Sequence, residues 1–448
     1  MNNENKLTEG KITSSLIKFT IPILGAMLLQ TMYGSADLII VGHFSDIPNA
    51  SGVTTGSQLM MLLTNLCVGL ATGATVLVGQ KIGAKKNKEI GTIIYNTIIL
   101  FMGIALAMMV GALIFQNQLV GIMNTPLNAI EETTMYLRIC FMGIPMIFAY
   151  NILGSIFRGL GDSKTPLIAA IIACIINIVV DIVLVAGFKM GAAGAAIATV
   201  LAQAISVVLS IYLVRKKGTL NIWPNKEERI VKISYIKKTI KLGIPIAIQS
   251  VITNFSFLAI TMIVNQQGVV YSVAVGVSEK ITGIIMLIPL AFMQSLSVFV
   301  AQNYGAKKHK RSKEGMKVAL VISFIFGAIM AYVAFFHGEI LAMIFNKEVD
   351  VLDATKIYLK AYALDTILVP FLFCFTGYFN GCGQTFFVMV QSILGSLLLR
   401  IPLPFIFGTV EPFSLLLVGL SIPIGTIFQI ILCIGYYIWN EKRSKKIE

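Results

Sequence analysis

Long apolar runs separated by short polar segments dominate the sequence. Each run is about 20 residues long, which is the length of an α-helix that crosses the hydrocarbon core of a bilayer. The pattern predicts twelve such helices and therefore an all-α polytopic membrane protein. The predicted spans are residues 16–40, 53–78, 92–115, 133–157, 166–188, 192–214, 240–264, 273–300, 316–337, 357–380, 388–408 and 414–438.

The polar segments between the runs alternate in charge. Lys and Arg are concentrated after the second, sixth, eighth and twelfth spans, as in QKIGAKKNKE at 80–89 and GAKKHKRSKE at 305–314. The intervening segments are poor in bases, and Lys189 alone follows the fifth span. Basic loops stay on the cytoplasmic side of a membrane. The sequence therefore predicts a multi-pass protein of the cell membrane with both termini cytoplasmic.

Composition supports this class and argues against others. Hydrophobic residues make up 56% of the chain and charged residues only 12%, against roughly 25% in soluble domains. The net charge of +14 resides in juxtamembrane loops, so we expect no nucleic-acid partner. The six cysteines form no CxxC pair, which argues against a disulfide framework or a zinc site. Since no phosphate-binding loop or catalytic set is recognisable, we expect no enzyme, no cofactor and no obligate protein partner.

The chain contains an internal repeat with a shift of about 222 residues. IGAKKNKE at 82–89 recurs as YGAKKHKR at 304–311, and FRGLGD at 157–162 recurs as FNGCGQ at 379–384. Six spans in each half then share one orientation, which predicts two pseudo-symmetric six-helix bundles related by an axis along the membrane normal. The predicted divisions are an N-lobe at 1–214, a cytoplasmic linker at 215–239 and a C-lobe at 240–448.

Four acidic residues fall inside predicted spans: Asp37 in the first, Asp181 in the fifth, Glu279 in the eighth and Asp365 in the tenth. A charged side chain at bilayer depth costs about 2.5–3.5 kcal/mol on insertion scales, so each is expected to face a cavity and to have a function. Asp181 lies fifteen residues past Pro166. That separation places it about 22 Å up a hydrocarbon core of roughly 30 Å.

Asn177 and Thr199 are expected to lie beside Asp181. Asn177 stands one helical turn before Asp181 on the same face, and Thr199 lies at a similar depth in the sixth span. With Asp37, these side chains could supply oxygen atoms to Na⁺ or hold a proton. Three other readings stay open. Asp37 could be an interfacial residue, Asn177 and Asp181 a structural hydrogen-bond pair, and Thr199 a residue bonded to its own backbone.

Several stretches resemble the multidrug and toxic compound extrusion (MATE) family, and the resemblance covers nearly the whole chain. They are FTIPILGAMLLQTMYGSADLIIVGHF at 19–44, VGQKIGAKK at 78–86, FRGLGDSKTP at 157–166 and NIVVDIVLVAG at 177–187. The resemblance implies two six-helix bundles that form a V around a central cavity. It also implies antiport, in which sodium ions or protons enter while organic, often cationic and lipophilic, compounds leave.

The resemblance also implies a cation site in the N-lobe. In the DinF-like branch of the family, that site uses an Asp of helix one, an Asn-x-x-x-Asp of helix five and a Thr of helix six. The counterparts here are Asp37, Asn177, Asp181 and Thr199. Pro22 resembles the proline at which helix one bends in that branch. A proline inside a helix lacks the amide donor, so a kink there is physically reasonable.

The predicted C-lobe site is less complete. In the NorM-like branch of the family, a C-lobe cation site uses a Glu of helix seven and an Asp of helix ten, but the seventh span here contains no acid. Asp365 occupies the tenth span, and Glu279 could replace the missing Glu, pair with Lys280 or attract a cationic drug. Arg400, inside the eleventh span, is either a structural hydrogen-bond donor between helices or a functional residue.

The predicted function is cation-coupled export of small drug-like molecules across the bilayer, with Na⁺ or H⁺ as the coupling ion. The 222-residue shift maps Asp37 onto Ala259 and Asp181 onto Leu403, so the acids are not duplicated. We therefore expect ion coupling to centre on one lobe. The alternative is a flippase for lipids or lipid-linked oligosaccharides in the same superfamily, a class that often has two more spans and a more cationic cavity.

Overall fold

The protein is described by a computed structural model that covers residues 7–123, 125–216 and 224–444. These residues contain helices and no β-strand, and part of the predicted linker, 217–223, lies outside them. The α-helices are α1 (Ile12–Phe44), α2 (Ile47–Gly83), α3 (Asn87–Ile114), α4 (Gln116–Ile122), α5 (Ile130–Met142), α6 (Ile144–Gly159), α7 (Lys164–Asp181), α8 (Gly191–Lys216), α9 (Ile233–Asn265), α10 (Val269–Ile285), α11 (Leu287–Gly305), α12 (His309–Phe336), α13 (Gly338–Met343), α14 (Val349–Cys382), α15 (Thr385–Gly395), α16 (Pro402–Gly408) and α17 (Leu415–Ser444).

The number of membrane spans agrees with the sequence. In the described part of the chain, ten helical segments are long and apolar enough to cross a membrane. Two bent pairs, α5 with α6 at 53° and α10 with α11 at 42°, bring the total to twelve if each pair is one span. Large apolar side chains such as Met61, Val208 and Ile431 lie exposed on the outside of these helices. A lipid environment accommodates such a surface.

Two spans also contain a π-helical turn. The fifth span continues from α7 through Ile182–Gly187, and the eleventh passes from α15 to α16 through Ser396–Arg400. Such wide turns inside α-helices are frequent at functional sites, and they rotate the side chains that follow. Asp181 directly precedes the first π-helical turn, and Arg400 ends the second.

The chain forms two compact units. The first consists mainly of Lys18–Ala247, and the second of Ile248–Tyr304 and Lys308–Glu448. In the first unit α2 packs against α5 and α6, while α8 packs against α5, α6 and α7. In the second unit α14 packs against α10, α12 and α17. The lobe boundaries predicted at 214 and 240 remain a prediction.

The two copies of the repeat have the same turn geometry. Lys85 and Lys307, which are 222 residues apart, both adopt the left-handed conformation, with φ angles of 55° and 60°. Gly161 and Gly383, again 222 residues apart, have φ angles of 86° and 82°. The two lysines lie in the repeated segments 82–89 and 304–311, and the two glycines lie in 157–162 and 379–384. The duplicated sequence therefore specifies duplicated backbone turns.

Close helix packing is duplicated as well. A Cβ atom added to Gly159 of α6 would lie only 2.8 Å from the carbonyl oxygen of Thr75 in α2. A Cβ atom added to Gly381 of α14 would lie 2.6 Å from the carbonyl oxygen of Ser297 in α11. Both the glycines and their partners are related by the 222-residue shift. Small residues permit this close approach, which is a principal source of helix association in membranes.

The described end of the linker is held against α3. The buried side chain of Asn96 donates through Nδ2 to the carbonyl oxygen of Ile230 at 2.8 Å. Its Oδ1 accepts from the backbone N–H of Lys232 at 2.7 Å. Glu89, near the start of α3, accepts from the Tyr235 hydroxyl at 3.0 Å. The start of α9, which belongs to the first unit, is therefore positioned by hydrogen bonds to α3.

Candidate functional site

Three helices of the first unit bring the predicted cation ligands together. Asp37 lies on α1, Asn177 and Asp181 on α7, and Thr199 on α8. The Thr199 hydroxyl donates to Asp37 Oδ2 at 3.1 Å, and both Asn177 and Asp181 are close enough to interact with the same carboxyl group. The spacing of Asn177 and Asp181, four residues apart in a helix, places them on one face of α7.

The site is buried. Asp37 is 5% exposed, Asn177 1% and Asp181 0%. Asp37 therefore lies inside the bundle rather than at a solvated helix end, and this geometry disfavours the interfacial reading of that residue. Asp181 is therefore enclosed by the bundle, and its predicted depth in the bilayer remains a prediction.

Several polar atoms in this site have no hydrogen-bond partner among the described residues. They are Asp37 Oδ1, both carboxylate oxygens of Asp181, and the amide oxygen and nitrogen of Asn177. Each buried polar group left unpaired costs about 1–3 kcal/mol. The structure therefore does not contain the Asn177–Asp181 hydrogen bond that a purely structural pair would make. A bound cation or proton would satisfy several of these atoms at once.

The donor set fits a hard cation. It consists of two carboxylates, one amide oxygen and one hydroxyl, and oxygen ligands of this kind bind hard cations rather than transition metals. Among the described residues no group of three or more His, Cys, Asp or Glu side chains could hold a metal ion. No Lys or Arg in the described part of the chain interacts with either Asp37 or Asp181.

A second layer of polar side chains surrounds Asp37, and the sequence analysis missed it. Tyr33 lies one turn before Asp37 on α1 and accepts from Gln203 Nε2 at 3.2 Å. Tyr136 on α5 shares a hydrogen bond of 3.1 Å with Ser57 on α2, and both tyrosines interact electrostatically with Asp37. The available signal was the four-residue spacing of Tyr33 from Asp37.

Pro22 lies inside α1, fifteen residues before Asp37, and α1 continues without a break from Ile12 to Phe44. The proline removes one backbone donor from the helix, so this is the point of α1 where bending costs least. Its role as a bending point remains a prediction.

The C-lobe residues form a different arrangement in the second unit. The Thr426 hydroxyl on α17 donates to Asp365 Oδ1 at 2.6 Å, and Arg400 Nη2 donates to Thr426 Oγ1 at 3.3 Å. Glu279 on α10 instead accepts from the Thr261 hydroxyl at 3.1 Å. The structure thus links Arg400 to Asp365 through one hydroxyl, a link that the sequence analysis did not find.

The chain matches the MatE family model twice, over residues 22–183 and 245–406. The two matches start 223 residues apart, which is the spacing of the internal repeat. The probable multidrug resistance protein YoeA of Bacillus subtilis is 25% identical over 451 residues, an alignment covering 99% of this chain and 97% of that protein. The multidrug export protein MepA of Staphylococcus aureus is 23% identical over 403 residues, covering 88% and 87%.

The fold is similar to that of solved transporters. A MOP superfamily transporter from Pyrococcus furiosus superposes with a TM-score of 0.91 at 19% sequence identity, covering 99% of this chain and 98% of that one. That protein is described as having a binding pocket of reverse polarity, which suggests a different function for it. The polarity of each site must therefore be taken from the residues of the chain concerned.

Proposed function

The chain belongs to the multidrug and toxic compound extrusion family of membrane transporters, and on that premise we propose that it is a cation-coupled antiporter. Proteins of this family are transporters rather than enzymes. The proposed cargo is organic, often cationic and lipophilic, compounds, which leave in exchange for Na⁺ or H⁺. The names of YoeA and MepA, a multidrug resistance and a multidrug export protein, support that class of cargo. The basic loops support a cytoplasmic position for both termini.

The observation that carries the proposal is the pair of buried carboxyl groups on Asp37 and Asp181. Two ionised carboxylates at this depth would repel each other and would each lose hydration, a penalty of several kcal/mol per ion. Because no Lys or Arg among the described residues interacts with them, the neutralising charge has to come from outside the protein. A site that requires an external cation has the property needed for ion coupling.

Coupling requires the ion to favour one conformation over the other. A ligand that binds both states equally shifts no equilibrium, however tightly it binds. Asp37 lies on α1 while Asp181 and Thr199 lie on α7 and α8. A cation shared by these helices draws α1 towards α7 and α8, and Pro22 provides the point at which α1 bends. In the proposed cycle, this movement closes the N-lobe cavity and releases the drug outward.

The test is drug efflux from proteoliposomes under separately imposed Na⁺ and proton gradients. Wild-type protein is expected to respond to one of the two gradients. Asp37→Asn and Asp181→Asn should each reduce the gradient-driven rate by about tenfold or more, since each 1.4 kcal/mol of lost ion binding is a factor of ten. Asp350→Asn is the matched control, because Asp350 is an exposed acid in the first turn of α14.

Gradient-driven efflux that survives in both site variants would place the coupling site elsewhere. Efflux that ignores both gradients in the wild-type protein would contradict antiport itself. The same vesicles containing a fluorescent lipid test the alternative function: lipid translocation without drug efflux would identify a flippase.

A further inference from the structure

Arg400 is the charged group that distinguishes the second unit from the first. Its side chain is 6% exposed, and Asp365 is 2% exposed, so both charges are buried in the bundle. Thr426, which is fully buried, lies between them: it accepts from Arg400 and donates to Asp365. The guanidinium, the hydroxyl and the carboxylate are therefore linked by two consecutive hydrogen bonds, which connect the eleventh, twelfth and tenth spans.

The surroundings of Arg400 hold the guanidinium in place. Its Cζ lies 5.2 Å from the centroid of the Phe257 ring, a cation–π contact. Gly425, next to Thr426, packs beside the Arg400 side chain: a Cβ atom there would be in ordinary van der Waals contact, 3.6 Å from Arg400 Cβ and 3.8 Å from Nε. Arg400 also ends the π-helical turn Ser396–Arg400, which sets the direction in which the side chain leaves the helix.

The two units therefore neutralise their buried acids in different ways. In the first unit, Asp181 precedes the π-helical turn of the fifth span, and its neighbour Asp37 is a second acid. In the second unit, the π-helical turn of the eleventh span ends in a base, and its neighbour is a single acid. Among the described residues, no Lys or Arg interacts with the acids of the first unit, whereas Arg400 is linked to the acid of the second through Thr426.

We propose that the guanidinium of Arg400 neutralises Asp365 in the second unit, as a coupling ion neutralises the acids of the first unit. Because this positive charge belongs to the chain itself and cannot exchange, we call it a tethered cation. Asp365 is then neutralised permanently and binds no exchangeable ion, so the N-lobe is the sole coupling site. This inference deepens the proposed function and rests on it. It also accounts for the presence of Asp365 in the tenth span although the seventh span supplies no acid.

The proposal predicts a new ion site when Arg400 is removed. The background is the purified full-length Asp37→Asn/Asp181→Asn chain in detergent. In it, we expect no bound ²²Na⁺ and no infrared band of a protonated carboxyl assignable to Asp365. Adding Arg400→Gln should produce either one bound Na⁺ per chain or that protonated-carboxyl band, and adding Asp365→Asn should abolish both signals. Glu279, Tyr358 and Tyr362 are the other titratable groups that face this region, and they are unchanged throughout.

The controls separate a tethered cation from a purely structural arginine. Arg443→Gln removes an exposed arginine of the same unit, which lies over the Trp439 ring, and should create no ion site. Arg400→Lys keeps the charge and should also create none. An Arg400→Gln chain that remains folded but gains neither signal would show that Arg400 has only a packing role, and that result would overturn the proposal.

A second measurement does not depend on the folding of the Arg400→Gln variant. Asp365→Asn in the otherwise unchanged protein should leave the number of bound coupling ions the same, whereas loss of one ion would overturn the proposal. Failure of the proposed function gives a different result. In that case Asp37→Asn/Asp181→Asn would not lower cation binding, whatever the outcome at Arg400.

Discussion

Thr199 supplies the hydroxyl ligand of the proposed ion site, and its removal distinguishes the two coupling ions. Its hydroxyl donates to Asp37 Oδ2, and hydrogen bonds to charged groups contribute about 1.5–3 kcal/mol. Thr199→Val removes an oxygen ligand from Na⁺, so the half-saturating Na⁺ concentration for efflux should rise by about tenfold. If the ion is H⁺, losing the donor favours the protonated carboxyl, and activation should shift to higher pH.

Thr199→Ser is the matched control, because it keeps the hydroxyl and should preserve the ion dependence of the wild-type protein. Both the Na⁺ titration and the pH profile are measured with one drug in proteoliposomes. An unchanged ion dependence in Thr199→Val would show that Thr199 is not a ligand of the coupling ion and that its hydroxyl has only a structural role.

The sequence predicts which residues lie together more readily for the N-lobe site than for the C-lobe residues. Asn177 and Asp181 belong to one helix, so their spacing is enough to place them on one face. Asp365, Thr426 and Arg400 lie in three different spans, and no sequence spacing brings them together. Their hydrogen bonds depend on how those spans pack and on the π-helical turn before Arg400, neither of which follows from hydrophobic periodicity.

At the scale of secondary structure, the turn at Lys85 has an unfavourable backbone conformation for its residue. A left-handed conformation costs a residue with a side chain about 1–2 kcal/mol, and glycine adopts it freely. Lys85→Gly should therefore raise the thermal stability of the purified protein, by about 0.5–1 kcal/mol after the added chain entropy of glycine. Lys307→Gly should act in the same way, since Lys307 adopts the equivalent conformation.

Thermal unfolding in one detergent measures both variants against Lys88→Gly. Lys88 lies within α3, where glycine is unfavourable, so that control should be neutral or less stable. A loss of stability in Lys85→Gly equal to that of the control would mean that the lysine side chain contributes more than its backbone conformation costs.

The helices themselves were predictable because lipid imposes a length and a composition on every span. The bends and π-helical turns that interrupt these helices were not predictable from the sequence. The bend at Gly143 lies inside one uninterrupted apolar run, although Pro145 two residues later suits the start of a new helix. The π-helical turns at Ile182–Gly187 and Ser396–Arg400 likewise leave the hydrophobic pattern unchanged. Both kinds of irregularity alter which way the next side chains point, and the site residues are among these.

At the scale of the whole molecule, the two halves share the scaffold but not the acidic residues inside the spans. The glycine contacts at Gly159 and Gly381 are equivalent, as are the turns at Lys85 and Lys307. The acids have no equivalents: Asp37 and Asp181 correspond to Ala259 and Leu403 under the 222-residue shift. Helix packing requires both halves to keep the same small residues. A coupling site in one half is sufficient for antiport, which leaves the other half free to change its charged residues.

Confining the site to one half also predicts how transport responds to membrane potential. Because Asp37 and Asp181 interact in a medium of low dielectric, we expect the proposed site to hold one exchangeable cation shared by both carboxyl groups rather than two. Export of a neutral drug then moves one positive charge inwards per cycle, and an inside-negative potential contributes about 2.3 kcal/mol per 100 mV to it. Export of a monovalent cationic drug moves no net charge.

In vesicles whose membrane potential is clamped with K⁺ and valinomycin, an inside-negative potential should accelerate efflux of a neutral compound and leave efflux of a cationic compound unchanged. Acceleration of the cationic compound as well would contradict this, because it would show that at least two cations enter per drug molecule.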